Sequence, residues 1–111
     1  PPVEAACNWY LLTGLAKSRD KLLAYLTGLG IEAKSHYPVA LSRQPACAKL
    51  GHSSLSPAHR VYQPNDFPGA ERAAMETISL PNHEYLTMKD ADDMIAAVAS
   101  FYGQRSSLAA E

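Results

Sequence analysis

Only two stretches of this chain read as β-strands, and that scarcity constrains the fold more than any other feature. "NWYLLTGL" (8–15) packs aromatic and aliphatic residues tightly and reads as a short, well-buried strand. "IEAKSHY" (31–37) alternates, with Ile31, Ala33, Ser35 and Tyr37 on one side and Glu32, Lys34 and His36 on the other. Pro38 has no N–H to donate to a ladder, so the strand ends there or runs on only as an edge. Two strands do not make a stable sheet by themselves. A chain with this pattern must cover its sheet with helices, or lean on further structure.

Helical patterns account for most of the remaining sequence. Ser18 is placed to cap a helix with Asp20 in its first turn, and Leu22, Leu23, Tyr25, Leu26 and Leu29 form its apolar stripe. Gly30 followed by Ile31 is a stop signal: glycine takes the left-handed conformation and the next apolar residue folds back on the last turn. Pro45 opens a short helix, "PACAKLG", that ends at Gly51. "GHSSLSPAHRVYQPND" (51–66) has no helical period and reads as a long surface loop. Asp66 is expected to cap the next helix, with Pro68 in its first turn and Ala70, Ala73, Ala74, Thr77 and Ile78 on one face, closed by "SLP" at 79–81. Thr87, with Asp90 three residues on, forms a capping box for a last helix. That helix buries Met88, Ala91, Met94, Ile95, Val98, Phe101 and Tyr102. The order expected is strand, helix, strand, then two further helices beyond the short one.

Bulk properties exclude several classes of function. At 111 residues there is room for one core. Formal net charge is −1 and the ten lysines and arginines are scattered, so no basic stripe offers itself to a phosphate backbone and nucleic acid is not an expected partner. No apolar run approaches bilayer-spanning length, and "PPVEAACNWY" has neither the charged nor the apolar region of a signal peptide, so the expected location is the cytoplasm. Cys7 and Cys47 lie forty residues apart, with neither disulfide-framework nor metal-ligand spacing. His52, His59 and His83 also lack ligand spacing, so no metal is expected. Asp90, Asp92 and Asp93 complement a helix dipole, and Met88 and Met94 belong to a core stripe.

Two segments carry a resemblance, and a third fits beside them. "GIEAKSHYPVALSRQPA" (30–46) resembles the GI-x-(T/A)-x-x-HYP-x-P-L-H-x-Q-PAY segment of the DegT/DnrJ/EryC1/StrS family. These are pyridoxal-phosphate-dependent aminotransferases that make amino sugars on nucleotide carriers. "FPGAERAAMETISLPNHEYLT" (67–87) resembles the family segment that follows, and "RDKLLAYLTGLGI" (19–31) fits the helix upstream. The likeness runs in order from Trp9 to Tyr102.

The resemblance implies an α/β fold, specifically a small α+β domain at the C-terminus of a fold-type-I aminotransferase, with a short sheet packed by helices. Residues 1–102 would form that domain and 103–111 a disordered tail. The large domain with the Schiff-base lysine lies upstream of this segment in the family, and none of Lys17, Lys21, Lys34, Lys49 and Lys89 stands in that lysine's context. Pyridoxal 5'-phosphate is therefore expected in a full-length protein and not as a covalent adduct here. The implied reaction moves an amino group, from glutamate, to a keto-sugar nucleotide in amino-sugar or polysaccharide biosynthesis. A homodimer of the full-length protein is implied as well.

Substrate contacts carry over only where the motif matches: His36, Tyr37 and Gln44. The sequence departs from the pattern at Ala40, Ser42 and Cys47, where the family has proline, histidine and tyrosine. Strand alternation is expected to turn His36 outward and pack Tyr37 inward. No catalytic residue is expected in this chain. The alternative is a non-catalytic, stand-alone α/β binding or dimerisation module.

Overall fold

The computed structural model describes residues 10–50 and 63–108. In chain order the elements are β1 (Leu12–Leu15), α1 (Arg19–Gly28), a 3-10 turn (Leu41–Arg43), α2 (Pro45–Leu50), α3 (Pro68–Glu76), β2 (Thr77–Leu80) and α4 (Met88–Leu108). The strands pair antiparallel, Leu12 opposite Leu80 and Leu15 opposite Thr77. Beyond the other edge of β2, Lys34 and Ser79 exchange both main-chain hydrogen bonds, at 2.9 and 2.7 Å. β2 is thus the middle of a three-segment sheet, and Thr77, Ile78 and Ser79 are all buried.

This reassigns two expectations. The segment 31–37 touches the sheet through one bridge at Lys34 rather than as a full strand. The second strand lies at 77–80, where a helical face had been expected to continue. Ala70, Ala73, Ala74, Thr77 and Ile78 keep a helical spacing across the junction, which hides it. The change of state at Thr77 brings β-branched Thr77 and Ile78 into extended backbone, where such side chains are favoured. The ladder starts at the helix end itself, since Ala16 N–H donates to the Glu76 carbonyl at 2.8 Å.

β1 is short and exposed along its whole length, not well buried as expected. The part of the expected strand at Asn8 and Trp9 lies outside the described residues. Leu12, Leu80, Ala91, Ile95 and Val98 line an apolar cleft of ≈ 430 Å³ beside it. The core is instead built on α1: Leu22 and Leu26 are its fully buried side chains, packed with Ala16, Ala33, Ile78, Ala97 and Phe101. Within the expected α1 stripe Leu29 is exposed. On α4, Met88 and Ile95 are exposed as well, and Ala97 takes a core place that had not been foreseen.

The ends of α1 and α4 follow their signals. Gly30 has φ +79°, its N–H reaches the Thr27 carbonyl at 3.0 Å, and Ile31 N–H reaches the Leu26 carbonyl at 2.9 Å. That pair of bonds is the Schellman motif. At the start of α1 Ser18 occupies the capping position, but only its carbonyl works, accepting from Lys21 and Leu22; its side chain makes no cap bond. α3 is capped at Phe67, again without a side-chain bond. Asp66, expected in that role, turns back to accept from Gln63 N–H at 2.9 Å. α2 opens at Pro45 as expected. α4 continues to Leu108, past Tyr102 where a tail had been expected.

Thr87 and Asp90 form the capping box. Asp90 N–H donates to Thr87 Oγ1 at 3.2 Å, and Thr87 N–H donates to Asp90 Oδ2 at 2.8 Å. The Thr87 hydroxyl, followed by its N–H, holds the Asp90 carboxyl below its ordinary pKa of 3.8. A depressed folded-state pKa contributes stability above the unfolded value, which is lost as pH falls through the folded one. Thr87→Ala should cost about 1 kcal/mol at neutral pH. That cost should shrink as pH falls below 3.8 and through the lower folded-state value, where the Asp90 carboxylate takes up its proton. Chemical denaturation of both proteins across the acid range checks this; a pH-independent difference would remove Asp90 from the cap.

Candidate functional site

The side chains gather where β2 meets the 31–37 segment. Ser79, 3% exposed, sits at the centre. Its Oγ lies 3.1 Å from Thr13 Oγ1 on β1 and 3.1 Å from Nδ1 of His36. The main chain explains the meeting: Thr13 is directly opposite Ser79 in the β1–β2 register, and Lys34, two residues before His36, is bridged to Ser79 on the other edge.

Arg19 supports this group from below. It is only 6% exposed, and Nη1 donates to the Thr77 carbonyl at 3.0 Å and to the Ser35 hydroxyl. Its Nε donates to exposed Asp20 at 2.6 Å. The guanidinium therefore ties the first turn of α1 to β2 and to the residue before His36.

His36 is half-buried and turned toward the sheet, whereas Tyr37 is 77% exposed. This inverts the expected orientation of the pair. Alternation holds from Ile31 to Ser35 and breaks at the next two residues, because Ser79 supplies a polar partner for an imidazole on the sheet side. The two rings meet edge to face, 5.9 Å between centroids at 88°. Gln44 is half-buried after the 3-10 turn; its N–H donates to the Leu41 carbonyl and its carbonyl accepts from Cys47 N–H. No described contact joins Gln44 to His36 or Tyr37. A small cleft of ≈ 210 Å³ follows the intervening segment, lined by Pro38, Val39, Ala40, Arg43, Glu71 and Met75 among others.

At the positions that depart from the motif, Ala40 is buried, Cys47 is a half-buried free thiol, and Ser42 Oγ is buried without a hydrogen-bond partner among the described residues. A third cleft, of ≈ 560 Å³, carries Glu32, His83, Asp90 and Asp93. Its acids are already engaged: Glu32 with Lys34 at 2.7 Å, which lowers the Glu32 pKa, Asp93 with Lys89 at 2.6 Å, and Asp90 with Thr87. Among the described residues no group of three or more His, Cys, Asp or Glu could hold a metal ion. His52 and His59 lie outside them.

The described lysines do not suit an imine-forming role toward pyridoxal phosphate. Such a lysine needs a desolvated setting that lowers its pKa. Lys17, Lys21, Lys34 and Lys89 are all exposed, and the hydrogen bond to Asp93 raises the Lys89 pKa instead. No helix among the described residues is long and apolar enough to cross a membrane.

Sequence reasoning missed Ser79, Thr13 and Arg19. Ser79 was in view as part of "SLP", but a helix ending there gives its side chain no strand partner. Arg19 had no reading of its own, because nothing in the local pattern distinguishes a buried arginine from an exposed one.

Three relatives align over most of the chain. It is 34% identical over 90 residues to the erythromycin biosynthesis sensory transduction protein EryC1 of Saccharopolyspora erythraea, covering 81% of this chain and 22% of that protein. It is 34% identical over 87 residues to a pleiotropic regulatory protein of Geobacillus stearothermophilus, covering 78% and 21%. It is 33% identical over 92 residues to dTDP-3-amino-3,4,6-trideoxy-alpha-D-glucose transaminase of Streptomyces venezuelae, covering 81% and 21%. The chain thus spans about a fifth of the length of the curated relatives it matches. The sequence pattern of one family covers residues 2–99, which takes in every element from β1 to most of α4. With its helices and short antiparallel sheet, the chain belongs to the DegT/DnrJ/EryC1/StrS aminotransferase family.

Proposed function

We propose that this chain is the small C-terminal domain of a pyridoxal-phosphate-dependent sugar aminotransferase. The observation that carries the reading is the alignment with a sugar-nucleotide transaminase over 81% of this chain and only 21% of that protein. The full-length enzyme would transfer an amino group from glutamate to a keto-sugar nucleotide, in the cytoplasm and as a homodimer. The cofactor, held by the remainder of the protein, supplies the electron sink for the amino-group transfer. This chain's part is recognition: His36, Tyr37 and Gln44 would face the nucleotide sugar. Exposed Tyr37 offers a ring and a hydroxyl, and half-buried His36 offers one nitrogen.

A second reading has support in the names of two relatives, which describe sensory transduction and pleiotropic regulation rather than catalysis. It makes the chain a non-catalytic binding or dimerisation module. The coding sequence upstream of Pro1 separates the two. An in-frame large domain with a lysine in the family's imine-forming context supports the enzyme; an initiation codon directly before Pro1 supports the module.

The cofactor assignment has its own check. Incubating the 111-residue chain with pyridoxal phosphate, reducing with borohydride and mapping the adducts should give no stoichiometric modification at any of its five lysines. One fully occupied pyridoxyl-lysine would place the cofactor in this chain and overturn the division of labour proposed.

A further inference from the structure

The Ser79 side chain has a task that the fold does not require of it. Its main chain is already satisfied, N–H and carbonyl both bonded to Lys34. A buried hydroxyl with two polar neighbours, Thr13 Oγ1 and His36 Nδ1, each at 3.1 Å, is the middle of a hydrogen-bonded row. A hydroxyl brings one proton and two lone pairs, so it can accept from one neighbour while donating to the other. Two settings satisfy all three groups. In the first, Thr13 donates to Ser79 and Ser79 donates to Nδ1, which leaves the imidazole N–H on Nε2. In the second, Nδ1–H donates to Ser79 and Ser79 donates to Thr13, which leaves a lone pair on Nε2 of the neutral ring. Thr13 is exposed, so water can complete its bonding either way. Nε2 of His36 has no hydrogen-bond partner among the described residues.

We propose that Ser79 is a positioning residue: it docks Nδ1 of His36 against the sheet, turns Nε2 outward, and with Thr13 lets that nitrogen act as donor or acceptor without moving the ring. The ligand class this suits is one with both hydroxyl and phosphate oxygens, as in a nucleoside-diphosphate sugar. The ligand half of the inference rests on the substrate contact proposed for His36; the docking half stands on the Ser79, Thr13 and His36 geometry alone.

The test labels the protein with 15N-histidine and assigns the His36 ring by its loss in His36→Gln. Nδ1 and Nε2 shifts report tautomer and hydrogen bonding, which a merely structural serine would not influence. In Ser79→Ala the two shifts should move to those of a blocked histidine peptide. In Thr13→Val, at an exposed site where folding is safe, Ser79 can donate only to Nδ1, and the shifts should move toward the Nε2–H form. Identical His36 shifts in wild type and both variants would overturn the proposal. Titration with thymidine diphosphate glucose addresses the ligand. Ser79→Ala should weaken binding roughly three- to tenfold, the scale of one neutral hydrogen bond. Adding it to His36→Ala should weaken binding no further, because both changes remove one interaction. If His36→Ala leaves the titration untouched while the shifts still respond, the substrate contact falls and the docking by Ser79 stands. If His36→Ala weakens binding and Ser79→Ala does not, the positioning role falls.

Discussion

Leu26→Ala should lower the stability of this protein by about 2–5 kcal/mol, the range for truncating a buried leucine. Leu26 has no exposed surface and sits in the cluster of Leu22, Ala33, Ile78 and Phe101. Three small residues (Ala16, Ala33 and Ala97) already line that cluster, so few large side chains are available to collapse into the space. The cost is severe because a domain of this size has only about 5–15 kcal/mol in hand. The local backbone should survive, since the Schellman bond from Ile31 reaches the Leu26 carbonyl and not its side chain. Leu29→Ala is the control: at 55% exposure one turn further on, it should cost less than about 1 kcal/mol. Urea midpoints with an unchanged slope would measure both. A Leu26→Ala cost below that of Leu29→Ala would mean that the core lies elsewhere.

The contrast between those leucines shows what the sequence can convey. Helical spacing groups Leu22, Leu23, Tyr25, Leu26 and Leu29 on one stripe, and the stripe is there. Spacing does not say how far the neighbouring elements extend, and α4 covers the middle of the stripe while leaving Leu29 open. Helix starts and stops were legible for a related reason. Gly30 with Ile31, Pro45, and Thr87 with Asp90 are local devices, satisfied within a turn of themselves. β2 was not legible, because 70, 73, 74, 77 and 78 keep one helical register while the backbone changes state at Thr77. What converts that segment to a strand is pairing with Leu12–Leu15 and with Lys34, at distances of forty residues and more along the chain. The candidate site failed to show itself for the same cause. His36 could be named from its motif, but its direction is set by Ser79, and Ser79 becomes a partner only once β2 exists.

Arg19→Ala should be the most disruptive change at a polar position, at roughly 3–6 kcal/mol if each of its two inward charged hydrogen bonds contributes its usual share. The guanidinium is 6% exposed and donates to the Thr77 carbonyl and the Ser35 hydroxyl, so its loss strands a buried carbonyl and frees the residue next to His36. Asp20 is no substitute anchor. It is 86% exposed, and an ion pair with so open a partner contributes about 0–1 kcal/mol, so Asp20→Asn should change little. Two further variants separate packing from bonding. Arg19→Met keeps a long apolar stem but no donor, and should recover only the packing part of the loss. Arg19→Lys keeps the charge but replaces a planar fork with a single ammonium, which cannot reproduce the spread of Nε and Nη1 bonds. It should remain well below wild type. The binding groups would register the change too. With Ser35 released, His36 loses its support on the chain side while keeping Ser79 on the ring side, so the Arg19→Lys protein should show a broadened His36 resonance even where it is fully folded. Stability equal to wild type in Arg19→Lys would show that charge alone suffices there, and that the fork to Thr77 and Ser35 does not hold the site.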